Sequence, residues 1–438
     1  MKYIFENLGV LKRADISLNK LNVICGKNNT GKTYLTYALY SLFESYHTSF
    51  PLKASISNID TPSRFPIKEY LTTAKIDEML KAFCGQFSKE INQHFAAPEN
   101  FFKGFSLKIS SDKNFNLNYE SKVRLHALSE ELILEAYIDK KKNVLFKSNK
   151  AASDIDKDFY KSSIKQLVSG IIKGCLSQYF LRPYAITAER TGIQLFYKEL
   201  DFTRNSIIDV LTKKNSKDLR IHIMDSLFKN TSRYPDSIRD NINYIRDFDN
   251  ALKRTNSTLK VSSSWEALLD GKFDVDNDEP VFIPKSSPNK KVPLHLCSST
   301  VKSLLAFELV LFHLAKNDTI IFIDEPELGL HPEKQKAMAR FLADIAMNTN
   351  FTLLITTHSD YIIREFNNLI RLHSSSSRTS LMEKYHIHST LDYEKLNIYS
   401  IDDNILQPVE VSKDGILLKS FDGVIIEQDT LFDELFCC

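Results

Sequence analysis

The segment VICGKNNTGKTYLTYALYSLF, Val23 to Phe43, decides how the rest of the chain is read. An apolar run, LNVIC, ends at Gly26. A second glycine, Gly31, follows five positions on, then Lys32, Thr33 and a helical pattern in which Leu35, Ala38, Leu39 and Leu42 share a face. Glycine is scarce, 12 in 438 residues, so two at this spacing call for an explanation beyond composition. Gly26-Lys27-Asn28-Asn29-Thr30-Gly31-Lys32-Thr33 fits G-x-x-x-x-G-K-[ST]. Triphosphate oxygens need many donors without bulk. A glycine-flanked loop turns its backbone N–H groups inward, and the helix behind it adds a positive dipole end. In that reading Lys32 reaches the β- and γ-phosphates of ATP and the Thr33 hydroxyl holds Mg2+. The plainer reading is a strand-turn-helix joint that happens to contain two glycines.

Composition sets wide bounds. Hydrophobic residues are 43% and charged residues 26%, an ordinary globular balance. A net charge of +2 makes no global demand for nucleic acid or an anionic membrane, and the local run Lys140-Lys141-Lys142 reads as a solvated surface. The six cysteines form no CxxC pair, so neither zinc nor a redox motif is expected, and Cys25 and Cys297 read as small buried hydrophobes. Cys437-Cys438 lacks the C-a-a-X pattern and reads as a frayed tail. The start alternates like a strand and carries charges, so no signal peptide is expected there, and no run approaches the roughly 18 apolar residues of a membrane span. A cytoplasmic, reduced protein is expected.

The order of elements predicts a split core. Strand, turn, strand, loop and helix fill the first 45 or so residues. From about Gly271 come a hairpin (GKFDVDNDEPVFIP), a helix (TVKSLLAFELVLFHLAK), a strand (TIIFID), a helix from Glu333, a strand (FTLLITTH) and a further helix. That alternation argues for a parallel sheet flanked by helices. Between them, FSLKISSDKNFNLNYES and ELILEAYIDKKKNVLFKS read as hairpins. IDEMLKAFCGQFSKEINQHF and DFYKSSIKQLVSGIIKGCLSQYF read as helices, and RPYAITAER as a strand. A mostly helical, polar stretch is expected from Ile193 to about Leu259. The expected domains are a discontinuous head, 1–47 and 265–438 with a strand near 183–189, and an insert, 48–264, of hairpins plus a helical lobe.

Three further segments carry chemistry. TIIFIDEPELGLHPE ends an apolar strand in Asp324-Glu325. Two adjacent carboxylates at a buried strand end cost desolvation unless a cation compensates. With Mg2+ there, Asp324 enters the metal's shell and Glu325 orients or deprotonates the attacking water. An acidic helix start is the competing reading, weakened by Pro326 and Pro332. LLITTHSD ends another strand at His358, which either satisfies the core or hydrogen-bonds the γ-phosphate. Ser298, Ser299 and Thr300 open a helix, as ordinary N-caps do.

In this order the four segments resemble the ABC-type ATPase heads of the RecF, SMC and OLD group. GKNNTGKT looks like that group's GxNxxGK[ST], IDEPELGLHP like its Walker B and D-loop, and TTHS like its switch-histidine motif. YAITAERTG resembles a segment of standalone members near where the Q-loop lies. The resemblance implies an α/β P-loop NTPase of ABC-head type, with an N-terminal antiparallel β subdomain and a mostly helical insert. It also implies a homodimer, or a higher homo-oligomer, sandwiching two ATPs, with Ser298 reaching the partner's nucleotide. The chain departs from the family at Thr300, where the signature usually has glycine. No Toprim nuclease is placed after His358, and Asp402 and Asp403 read as turn residues. The expected function is the ATPase subunit of an antiphage defence complex of Septu, retron or PARIS type. It would control a separate effector, a nuclease or retron component, by ATP-dependent dimerisation. The alternative is a RecF-like repair ATPase that binds duplex DNA.

Overall fold

The computed structural model describes residues 1–50, 64–67, 71–110, 117, 122–126, 132–148, 157–196, 234–253, 263–277 and 279–417. Cys437-Cys438 and much of the expected helical stretch after Ile193 lie outside them. The chain divides into two compact units. One comprises 1–5, 42–90 and 105–182; the other comprises 6–41, 91–104 and 183–438.

The second unit is built on a mixed sheet. Its strand order is Leu11–Ser17, Ile405–Val409, Leu396–Asp402, Leu21–Cys25, Thr352–Thr357, Thr319–Asp324 and Arg182–Ile186. Leu21–Cys25 is parallel to both of its neighbours, and Thr319–Asp324 is parallel to Thr352–Thr357. Every residue of Leu21–Cys25, Thr319–Asp324 and Thr352–Thr357 is buried. Runs dominated by Leu, Ile, Val and Phe, with their polar residues also buried, suit parallel strands covered on both faces. Helices Pro332–Asn348 and Asp360–His373 contribute Phe341, Leu342, Phe366 and Leu369 to the core. Leu396–Asp402 and Ile405–Val409 form an antiparallel hairpin. Asp403 and Asn404 both have positive φ (49° and 64°), as a tight two-residue turn requires. Asp403 is therefore a turn residue, while Asp402 closes the strand before it.

Two details of this unit differ from the sequence reading. The expected helix TVKSLLAFELVLFHLAK is α-helical over Ser299–Phe307 and then widens into a π-helix, Glu308–Leu314, closed by Ala315 N–H donating to the Val310 carbonyl at 2.8 Å. Glu308 there accepts the Trp265 indole N–H at 2.8 Å. Cys297 is only half-buried: it caps a short turn at the helix entrance and packs against the edge of the core.

The first unit holds a four-stranded antiparallel sheet, in the order Arg64–Pro66, Asn143–Ser148, Leu132–Ile138 and Lys122–His126, with helices Thr73–His94 and Lys157–Leu176. The hairpin expected in ELILEAYIDKKKNVLFKS is there, and Lys140-Lys141-Lys142 occupies its turn. In FSLKISSDKNFNLNYES only Ser106–Ser110 is a described strand, and it neighbours Lys2–Leu8; most of the expected return strand lies outside the described residues. Helix Lys157–Leu176 lies on the Lys122–His126 strand at Gly170, where a Cβ would stand 3.0 Å from the Val123 side chain. The aromatic core includes Tyr46 stacked on Phe180, with centroids 4.1 Å apart.

These units divide the chain at other places than the expected 48–264 insert. Residues 91–104 and those after 183 group with the nucleotide-type sheet. Tyr34, on the helix after Gly31, stacks with Phe95 (5.9 Å) and Phe101 (6.3 Å). Asn241 donates to the Ala185 carbonyl at 2.8 Å.

Candidate functional site

The parallel register brings three strand ends to one edge. Asp324 lies opposite Thr356, and Thr357 lies opposite Cys25. Ligands of open α/β sheets bind outside such carboxyl ends. The chain leaves Cys25 through a loop with φ of 147° at Gly26, 61° at Asn29 and 101° at Gly31. A Cβ on Gly31 would stand 2.6 Å from Leu11 Cγ, so both backbone angle and space require glycine there. Lys27, Asn28 and Asn29 form the exposed rim, and Thr30 ties it by donating to the Lys27 carbonyl at 2.9 Å. The helix Lys32–Ser49 starts immediately after.

Lys32 is 5% exposed, and its ammonium donates to the carbonyls of Gly26 (3.0 Å) and Lys27 (2.7 Å). Burial pulls its pKa down, while Glu325 and Asp324 pull the other way. Thr33 Oγ1 donates to Asp324 Oδ2 at 3.3 Å, and Thr356 Oγ1 donates to Asp324 Oδ1. Burial pushes the Asp324 carboxyl up to about 6; the Thr356 hydrogen bond opposes this, and Glu325 and Glu189 reinforce it. A buried carboxylate bordered by further acids is poised for a cation. A hydroxyl and a carboxylate are the hard oxygen donors Mg2+ takes when it completes its shell with phosphates and water. Thr33 and Asp324 therefore fit the metal that an ATPase site implies. Among the described residues no cluster of three His, Cys, Asp or Glu offers an all-protein cage.

Glu325 has φ of 48°, unusual for a non-glycine residue. Its N–H donates to the Thr356 carbonyl at 3.2 Å, and its Oε1 lies 3.7 Å from His358 Nε2. Burial and the nearby Lys32 charge lower the His358 pKa, with Glu325 opposing. The imidazole is thus biased towards its neutral form. Glu327 holds the backbone beneath it, accepting from His358 N at 2.7 Å and from Thr357 Oγ1 at 2.9 Å.

Gly26–Thr33, Asp324, Glu325 and His358 thus share one locality. Ser298 stands at the start of helix Ser299–Phe307. This exposed residue caps Ser299–Phe307 by accepting from Val301 N at 3.3 Å, and among the described residues it has no hydrogen bond to Gly26–Thr33. Thr300 Oγ1 donates to the Gly329 carbonyl at 2.8 Å, within the same chain.

Three residues of the site were not singled out in the sequence. Thr356 and Glu327 sit inside motifs quoted for other members, and only their neighbours' spacing pointed to them. Arg190 is the largest fully buried side chain among the described residues, 1% exposed. It donates to Ser303 Oγ (2.8 Å) and to the carbonyls of Thr187 (3.0 Å), Asp324 (2.9 Å) and Glu325 (2.7 Å). Burial lowers its pKa to about 10. The Ala-Glu-Arg of YAITAERTG was its only signal.

The sequence matches the AAA ATPase domain family over residues 1–363. The chain belongs to that family. It is an ATPase, of mixed α/β fold. No curated protein matches this AAA ATPase. Solved structures similar to it include an Smc head bound to the C-winged helix domain of ScpA, at 10% identity over 94% of this chain and 97% of that one, TM-score 0.33. Another is an Smc head with an extended coiled coil bound to the C-terminal domain of ScpA, from Pyrococcus furiosus, at 12% identity over 98% of each chain, TM-score 0.31. A third is the SMC head domain from Thermotoga maritima, at 10% identity over 94% and 98%, TM-score 0.28.

Proposed function

We propose that this ATPase is an ABC-type nucleotide switch of the cytoplasm. Two copies close on ATP, each lending the Ser298 helix start to the other's γ-phosphate, and hydrolysis releases them. In this reading the Gly26–Thr33 loop cradles the phosphates and Lys32 meets the β- and γ-phosphates. Thr33 and Asp324 hold Mg2+, which neutralises charge on the triphosphate. Glu325 takes the proton of the attacking water, and His358, neutral at pH 7, hydrogen-bonds the γ-phosphate.

The observation that carries the reading is the pairing of Thr33 with Asp324 at 3.3 Å beside Glu325 and His358 at 3.7 Å, at the end of a loop too tight for any residue but glycine at position 31. The exposed N-terminus of the Ser299–Phe307 helix supports a contact made in trans. The test is Glu325→Gln mixed with ATP and Mg2+. Its hydrolysis should fall by about a hundredfold or more, the usual contribution of a general base. Light scattering should then report a stable particle of twice the 50.3 kDa chain mass. Native turnover, or a monomer that binds ATP without associating, refutes the proposal.

Antiphage defence and a separate nuclease or retron-type effector are the part of the proposal that rests on the family resemblance. Coexpression with the neighbouring genes checks it. The expected result is an effector that copurifies and changes its association when ATP is replaced by ADP.

A further inference from the structure

We propose that Arg190 is a positioning residue that couples the Ser299–Phe307 helix to the catalytic turn at Glu325. The inference rests on the reading of Glu325 as the base. A guanidinium is a planar fork of fixed geometry, so groups bound to it move as one body. Here the fork has four partners on three segments: Ser303 Oγ on the helix, the Thr187 carbonyl at a strand end, and the carbonyls of Asp324 and Glu325. Its plane packs 5.6 Å from the Phe307 ring of the same helix. Such a cation can be buried because its N–H groups are spent on these acceptors.

Glu325 needs that hold. Its left-handed backbone is costly for a side-chain-bearing residue. The turn is pinned on both sides, its N–H by the Thr356 carbonyl and its own carbonyl by Arg190 Nη2. With both pins the carboxylate faces His358. A second tie links the same two segments, from Thr300 Oγ1 to the Gly329 carbonyl. Gly329 lies in the loop between Glu325 and helix Pro332–Asn348. A displacement of the Ser298 helix start, where the partner's nucleotide would press, therefore reaches the base of this subunit's own site. The residue that departs from the family glycine supplies one of the two ties.

The test is steady-state ATP hydrolysis by the full chain, with nucleotide binding and thermal melting measured in parallel. Ser303→Ala removes one of Arg190's four acceptors. The expected result is a kcat about tenfold lower, with KM, nucleotide affinity and melting temperature nearly unchanged, the pattern of a contribution made only in the transition state. Arg190→Ala should lose more, and millimolar guanidinium should restore part of its kcat. A role in folding alone would lower melting temperature and bound nucleotide together and would ignore guanidinium. Native kcat in Ser303→Ala overturns the inference, as does a kcat loss that tracks the loss of folded or nucleotide-bound protein. Should Arg190→Ala not fold, Ser303→Ala decides by itself. Glu325→Gln separates the two readings: if it is inactive while Ser303→Ala is native, only the Arg190 inference fails. If Glu325→Gln hydrolyses ATP normally, both fall.

Discussion

At the scale of single residues, the phosphate loop is decided by one missing atom. Gly31→Ala places a Cβ 2.6 Å from Leu11 Cγ on a backbone at φ of 101°. The substitution should cost about 2–4 kcal/mol, from overpacking and strain combined, read as a shift in the urea midpoint. Lys32→Ala removes the loop's buried cation together with its ties to the Gly26 and Lys27 carbonyls. Isothermal titration should show ATP affinity lower by about a hundredfold or more. Asp324 gives a signed pH dependence. Its carboxyl is raised by burial from 3.8 to about 6, so the folded protein without metal binds that proton more tightly than the unfolded chain does. Stability should fall as pH rises between about 4 and 6, by about 3 kcal/mol in all. Denaturation curves of Asp324→Asn across that range should lack this fall, and Mg2+ with nucleotide should offset it in the native chain. The glycines, Lys32, Thr33, Asp324, Glu325 and His358 were legible because each stands at a fixed offset from an apolar strand. Arg190 was not, because its acceptors lie up to 135 positions away in the chain.

At the scale of elements, alternation and apolar runs gave the strands and their parallel sense, since a buried parallel strand needs neither polar face nor turn. The change from α to π at Glu308 was illegible. The sequence there continues a helical apolar pattern, and the Glu308 carboxylate that opens the π-helix meets the indole of Trp265, 43 positions away, a contact with no local signature. The start of the same helix carries a prediction. Thr300→Gly removes the hydroxyl bound to Gly329 and adds backbone freedom in the first turn. It should destabilise the chain by about 1–2 kcal/mol by thermal or chemical denaturation.

At the scale of the whole molecule, the two compact units were beyond reach of the sequence, because unit membership follows packing rather than chain order. Residues 91–104 join the phosphate-loop unit through aromatic stacking on Tyr34, a contact with no periodic signature. The proposed switch also belongs to this scale. A non-hydrolysable ATP analogue with Mg2+ should bring two chains together in sedimentation, and ADP should not, because closure depends on the γ-phosphate.

The strand order has a consequence for how the protein is made. Leu21–Cys25 is made long before its two sheet neighbours, Thr352–Thr357 and Leu396–Asp402; Asn22 waits 331 positions for Leu353, and Cys25 waits 374 for Tyr399. At translation speeds of about 5–20 residues per second, that strand stays without its partners for roughly twenty to eighty seconds. A largely apolar segment, Leu21, Val23, Ile24 and Cys25 around Asn22, with both edges open for so long is a template for mispairing, and the nucleotide site has to wait for Thr352–Thr357 to be made.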